Sequence, residues 1–244
     1  MATRRVIRLS GPETIDFLQG LVTNDVNKID EGLVYAALLT PQGKYLGDFF
    51  LKKQGDDVLL DLAEEQADDL IRRLTMYKLR SKVSFEPTTL SVVRGTKEMP
   101  EDALPDPRHP ALGWRAYREG QESDDGSDWD AIRVAHCIPA SGVELTPDTF
   151  ILEARLQDLN GVDFRKGCYV GQEVTARMKH KTELRKGLKQ VRISGDAPVG
   201  SEITANGKTV GTLFTQAGDK AIAYPRFDRV ADEMHAGDAK ISVS

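Results

Sequence analysis

Apolar and polar positions along the chain alternate in two textures, short strand-length runs and helical stripes. Arg4 to Leu9 has strand length. Ser10-Gly11-Pro12-Glu13 then reads as a helix start, with a capping hydroxyl, a proline in the first turn and an acid at the positive end. Ile15, Phe17, Leu18, Leu21 and Val22 give that helix an apolar face, and Asn24-Asp25 ends it. Leu33 to Leu39 is an apolar strand, Pro41-Gln42-Gly43 a turn, and Lys44 to Lys53 the return strand of a hairpin. Gly55-Asp56-Asp57 turns the chain into a third strand, Val58 to Leu62. Glu64 to Met76 carries Ala67, Leu70, Ile71 and Leu74 on one side with acids toward its start, an amphipathic helix whose charges suit its dipole. Val83–Phe85 and Leu90–Val93 are further strands. Strands, one helix and more strands joined by hairpins predict an α+β fold rather than a doubly wound sheet.

The pattern breaks from Gly95 to Pro110, where four prolines stand among acids, and again in the acidic stretch Glu119–Asp128. Between them lies a short strand, Leu112–Tyr117, and after them Trp129–His136 returns to helical spacing. Beyond Arg185 come five or six short runs punctuated by glycines, including an Asn206-Gly207 hairpin signal, which predict a small β-barrel or sandwich. The chain divides accordingly into residues 1–94 and 95–185, two α+β modules that can interleave, and a barrel at 186–244.

Composition narrows the function. The 244 residues are 40% hydrophobic, enough for a real core, and 33 basic against 38 acidic residues argue against general nucleic-acid binding. No apolar stretch approaches the ~20 residues of a membrane span, and the opening Met-Ala-Thr-Arg-Arg-Val-Ile-Arg lacks the apolar core of a secretory signal. Two cysteines make no disulfide framework, which indicates a reducing compartment. The expectation is a monomeric cytoplasmic protein without nucleic-acid or membrane partners. Nucleotide-binding glycine loops, zinc spacings and serine-hydrolase elbows are absent from the sequence, so no metal site is expected.

The informative segment is Lys166-Gly167-Cys168-Tyr169-Val170-Gly171-Gln172-Glu173. Two glycines bracket the cysteine and permit positive φ. A helix opening at Gly171 and running toward Lys181 would set Cys168 before a helix N-terminus, beside Arg165 and Lys166, where a thiolate is stabilised. A half-buried, inert cysteine fits the same spacing. The following helix carries Arg177, Lys179, His180, Lys181, Arg185 and Lys186, either a solvated face or an edge that attracts anions.

That octapeptide resembles the signature of the YgfZ family of folate-binding proteins. The family includes a mitochondrial iron–sulfur assembly branch and is related to the T-protein, the aminomethyltransferase of the glycine cleavage system. Other segments are similar to the family in the expected order: Gly11-Pro12 through Gly20, Thr23-Asn24-Asp25-Val26, Thr40-Pro41-Gln42-Gly43-Lys44 with Asp48-Phe49, Tyr77 to Val83, and Ala221-Ile222-Ala223-Tyr224. The resemblance implies T-protein-like modules around a central opening that holds tetrahydrofolate, a C-terminal barrel, and a role in maturing or repairing iron–sulfur enzymes with Cys168 as the functional thiol. Asn24, Arg133, Lys166, Tyr169, Gln172, Glu173 and Arg177 are then the candidate cofactor-binding residues, and folate and iron–sulfur client or assembly proteins the partners.

Two departures stand out. T-proteins carry an acid pair in the first hairpin whose first member is catalytic. Here the matching pair reads Gly47-Asp48, which puts aminomethyl transfer in doubt because a one-residue shift on a strand faces the other way. Arg155 stands where the family has Asn. A tetrahydrofolate-dependent one-carbon transferase and a folate-free interaction module remain the alternatives.

Overall fold

The computed structural model describes residues 3–181 and 183–243. Met1, Ala2, Thr182, Ser244 and the side chain of Lys181 lie outside the described residues. In chain order the elements are β1 (Arg4–Ser10), α1 (Thr14–Gln19), β2 (Val34–Leu39), β3 (Tyr45–Gln54), β4 (Asp57–Ala63), α2 (Glu64–Lys78), β5 (Ser84–Pro87), β6 (Leu90–Gly95), β7 (Leu104–Pro105), β8 (Trp114–Glu119), β9 (Ser123–Asp124), α3 (Trp129–His136), α4 (Gln172–Lys181), β10 (Lys189–Ser194), β11 (Glu202–Ala205), β12 (Lys208–Ala217), β13 (Lys220–Pro225), β14 (Met234–Ala236) and β15 (Ala239–Val243). The architecture is α+β, as the pattern predicts.

Five strands form an antiparallel sheet in the order β2-β3-β4-β1-β5. Its central strands are buried on both faces, so they read as near-continuous apolar runs. Alternation still sorts them. Val34, Ala36, Leu38, Phe49, Leu51, Leu60 and Leu62 face α1 and α2, whose Leu18, Ala67, Leu70 and Leu74 complete one core. Tyr35, Ala37, Leu39, Tyr45 and Phe50 face the other way, into a second core shared with Val134, Ile151, Leu156, Tyr169, Leu188 and Ile222.

The second sheet has the order β7-β8-β6-β9. β6 pairs with β8 residue for residue, so one sheet draws strands from both the 1–94 and the 95–185 segments. The acidic stretch after β8, expected as a loop, holds β9, which runs parallel to β6. Six C-terminal strands close into a barrel. Asn206 and Gly207 both take positive φ at the tip of β11–β12, as a type I′ turn requires. The barrel docks on the second core through Leu188 and Ile222, and Leu188 N donates to the Glu153 carbonyl at 2.7 Å.

Candidate functional site

The loop carrying Cys168 is fixed by buried residues on either side of an exposed thiol. Cys168 is exposed, while Lys166 and Tyr169 are buried. The Lys166 ammonium donates to three backbone carbonyls at the end of α1 and just beyond it: Gln19 at 2.8 Å, Val22 at 2.5 Å and Asn24 at 3.0 Å. Burial outweighs the nearby Asp25 and Asp163 and lowers its pKa to about 8. Expected beside a cofactor, Lys166 instead has its donors occupied by the main chain. Tyr169 packs into the second core, where burial raises its phenol to about 12.

Of the two bracketing glycines, one is conformationally required. Gly171 has φ +82°, and a Cβ there would lie 2.7 Å from the Thr40 carbonyl. Gly43, at φ +76°, would place a Cβ 2.9 Å from Val174. The tight β2–β3 turn and the start of α4 therefore interlock through two glycines of separate motifs. Gly167 has no positive φ and open space around it, contrary to the expectation. α4 begins at Gln172, so Cys168 stands four residues ahead of it rather than at the helix end. On the exposed side of α4, Glu173 and Arg177 pair with each other at 3.1 Å, and Gln172 reaches back to the Gly167 carbonyl.

The central opening is a cavity of about 590 Å³ between the two sheets, α3 and the barrel. Arg133 and Asp48 line it; Cys168 does not. Asn24 lines a second hollow of about 610 Å³ with Asn160, Asp163 and Arg165. There its amide donates to the Tyr35 and Asn160 carbonyls, tying β2 to the segment before the signature. Tyr35 stands between the two hollows, lining the second and donating its hydroxyl to Asp48 in the first.

Asp48 corrects the sequence reading of the hairpin. A bulge at Leu46 separates the pairs Leu38–Gly47 and Leu39–Tyr45, so Tyr45 and Asp48 share the cavity side. Gly47 faces α2, where a Cβ would lie 2.4 Å from Leu70. The cavity-facing position thus holds an acid. Asp48 accepts hydrogen bonds from Tyr35, Tyr45 and Ser141 hydroxyls. Burial and the Asp48 charge raise both phenols well above their ordinary range, so they remain donors.

Five guanidinium groups line the same cavity, from Arg4, Arg94, Arg108, Arg115 and Arg133. Asp61 receives Arg4, Arg115 and Tyr117 at 2.6, 2.8 and 3.1 Å. Asp106 receives a two-pronged contact from Arg108 and a third bond from Arg115. Its burial would raise the carboxyl, but the two guanidinium groups hold it down at about 2. Arg133 spans α3, the following loop and the barrel through Asp130, the Ile138 carbonyl, Glu144 and Thr215. Arg155 lies away from the opening at φ +64°, a left-handed position that Asn adopts readily, so the departure from the family leaves the cavity lining unchanged. Sequence reasoning passed over Asp61, Arg94, Arg108 and Arg115. The available signal was a charge interrupting a doubly buried strand, as in Leu59-Leu60-Asp61-Leu62.

Comparison with known proteins fits this construction. Residues 185–244 match the family described as CAF17, C-terminal beta-barrel domain. The chain is 33% identical over 218 residues to the iron-sulfur cluster assembly factor IBA57 homolog, mitochondrial, of Mycosarcoma maydis, covering 76% of this chain and 54% of that one. It thus spans about half of that relative's length. The human iron-sulfur cluster assembly factor IBA57, mitochondrial, is 28% identical over 277 residues, covering 95% of this chain and 78% of its own. In fold, the chain matches the crystal structure of glycine cleavage system aminomethyltransferase T from Bartonella henselae with a TM-score of 0.77 at 14% identity, over 99% of this chain and 83% of that one. The cytoplasmic expectation is overturned, because these sequence relatives are mitochondrial proteins. The cysteine argument separates reducing from oxidising compartments and does not tell one reducing compartment from another. The barrel match, the sequence relatives and the fold shared with a T-protein together support a YgfZ/CAF17, T-protein-like family for the chain.

Proposed function

We propose that this chain acts in the maturation of iron–sulfur proteins, presenting Cys168 to a cluster or its protein carrier and binding a reduced folate in the central cavity. The observation that carries the reading is an exposed thiol on a loop pinned by Lys166, Tyr169 and Gly171, in a chain related to iron–sulfur assembly factors. Cys137 is buried and burial raises its thiol, so this chain offers a cluster one accessible sulfur. No group of three or more candidate metal-ligating side chains occurs among the described residues. A cluster at Cys168 is therefore a substrate held jointly, with the remaining ligands supplied by a partner's thiolates.

The cavity residues fit a folate in kind. A pterin is a flat ring with alternating donors and acceptors, and its tail is anionic. The cavity offers a carboxylate at Asp48, a hydroxyl at Ser141, the Trp129 indole and cationic walls. Bound reduced folate would supply one-carbon or reducing chemistry. The test is complementation. In cells lacking this protein, native chain restores iron–sulfur enzyme activities and Cys168→Ala does not. Full rescue by Cys168→Ala removes the thiol from the mechanism. A tetrahydrofolate titration of the purified chain checks the cavity separately.

Asp48 on the cavity side favours a second reading, one-carbon transfer from folate to a small amine. Transfer of isotope from labelled methylene-tetrahydrofolate, lost in Asp48→Asn, would establish it. Absence of transfer in the native chain rules this second reading out.

A further inference from the structure

Four of the five cavity arginines make hydrogen-bonded ion pairs within the protein. Arg4 and Arg115 bind Asp61, Arg108 binds Asp106, and Arg133 binds Asp130 and Glu144. Arg94 differs. Its side chain is 13% exposed, yet no hydrogen bond forms from its guanidinium among the described residues. Its ion-pair partner, Asp124, is 3.6 Å away and already accepts from the Trp129 indole N–H and the Gly126 amide, and Glu122 adds a weaker negative charge. The guanidinium carbon lies 4.2 Å from the centre of the Trp129 ring. Burial, with Arg115 close by, lowers this arginine to about 10, which marks a cation whose charge is incompletely compensated. A guanidinium over an aromatic face keeps its in-plane donors free, and those donors match a planar oxyanion in pairs.

We infer that Arg94 is the anchoring cation of the central cavity and that its fork takes a carboxylate of the acidic tail of a reduced folate. The inference rests on the folate reading above and specifies which end of the ligand the cavity wall holds. It also relocates the anion site. The basic residues from Arg177 onward offer an edge that attracts anions, but Arg177 there pairs with Glu173 at the surface. The cavity instead keeps one largely buried guanidinium that forms an ion pair at 3.6 Å but no hydrogen bond among the described residues.

The experiment titrates tetrahydrofolate, tetrahydropteroate (the same ring system without the glutamate) and inorganic phosphate into the native chain, Arg94→Gln and Arg94→Lys by calorimetry. Arg94→Gln should bind tetrahydrofolate at least ten-fold more weakly, whereas tetrahydropteroate should bind the native chain and the variant alike. Arg94→Lys should fall between, because it keeps the charge and loses the fork. Arg94→Gln should melt no lower than the native chain, since it removes a largely buried charge that no hydrogen bond compensates; a residue serving only structure would melt lower. Equal tetrahydrofolate affinity in the native chain and Arg94→Gln overturns this inference and leaves the folate reading standing. An equal loss for tetrahydropteroate overturns it too. No tetrahydrofolate binding by the native chain overturns both. If inorganic phosphate competes as tightly as tetrahydrofolate binds, the site is a general oxyanion site and the assignment to the tail fails.

Discussion

Replacing Lys166 with methionine keeps the length of the side chain and removes its charge and donors. The ammonium bonds the Gln19, Val22 and Asn24 carbonyls, at the end of α1 and just beyond it. Each acceptor left without a partner costs about 1–3 kcal/mol, so the three together cost roughly 6 kcal/mol. Against this, a lysine lowered from 10.5 to about 8 carries a burial cost of roughly 3 kcal/mol that the variant no longer bears. The net destabilisation is about 3 kcal/mol, which for a chain of this size lowers the melting temperature by roughly 6–12 °C. Thermal melting followed by circular dichroism measures it, with Arg165→Met, an exposed neighbour, as the control that stays within about 1 kcal/mol. The pH dependence supplies a second readout. The folded chain binds the Lys166 proton less tightly than the unfolded chain does, so native stability rises between pH 8 and 10.5, and Lys166→Met flattens that rise. A variant that melts within about 2 °C of the native chain would refute the view that this ammonium fastens the cysteine loop to α1.

Gly171→Ala must place a side chain at φ +82° and 2.7 Å from the Thr40 carbonyl; it should lose on the order of 2 kcal/mol by chemical denaturation, while Gly167→Ala, in open space, loses little. Cys168 should react with iodoacetamide at least 100-fold faster than Cys137 at neutral pH, because one is exposed and the other buried with a raised thiol; mass spectrometry of the labelled peptides reads the ratio, and similar rates would contradict the burial pattern. The His136 ring stacks on His109 at 4.0 Å, and burial, His109 and Lys220 lower its pKa below 6.5. The unfolded chain takes up that proton first, so stability should fall as pH drops below about 6.5 and His136→Gln should reduce the slope of the melting curve against pH.

The strands, α2 and the barrel were legible because their apolar spacing is local. Ala67, Leu70 and Leu74 announce a helix face, and Asn206-Gly207 a primed turn, without reference to the rest of the chain. The octapeptide was legible as a motif, yet its internal roles were not. Lys166 and Cys168 look alike from the sequence, as polar groups on a glycine-rich loop. Which is buried is decided by α1, more than 140 residues away. The cavity arginines were illegible for the same reason. Arg4, Arg94 and Arg115 come from three strands of two sheets and meet through pairings that alternation within one strand does not encode. The partner of β6 was illegible too, since β8 lies across a proline-rich stretch.

The hairpin pair Gly47-Asp48 shows how packing and chemistry compete for adjacent positions. Read as a string, glycine at the first position looks like a catalytic acid deleted. In the fold, position 47 belongs to the face against α2, where Leu70 leaves no room for a Cβ. The glycine is therefore a condition for bringing α2 close to β3, and the bulge at Leu46 determines which neighbour meets the cavity. Asp48 meets it, but as the acceptor of three hydroxyls. A carboxylate has about four acceptor positions, so roughly one remains for a ligand. Such a group is suited to orienting a bound donor. Removing one of those donors should therefore separate the two readings. Ser141→Ala frees an acceptor position on Asp48 and should strengthen any isotope transfer from labelled methylene-tetrahydrofolate, while leaving iron–sulfur enzyme rescue through Cys168 unchanged. Loss of rescue in Ser141→Ala, with the protein folded, would tie the cavity to the assembly function directly and refute the independence of the two sites.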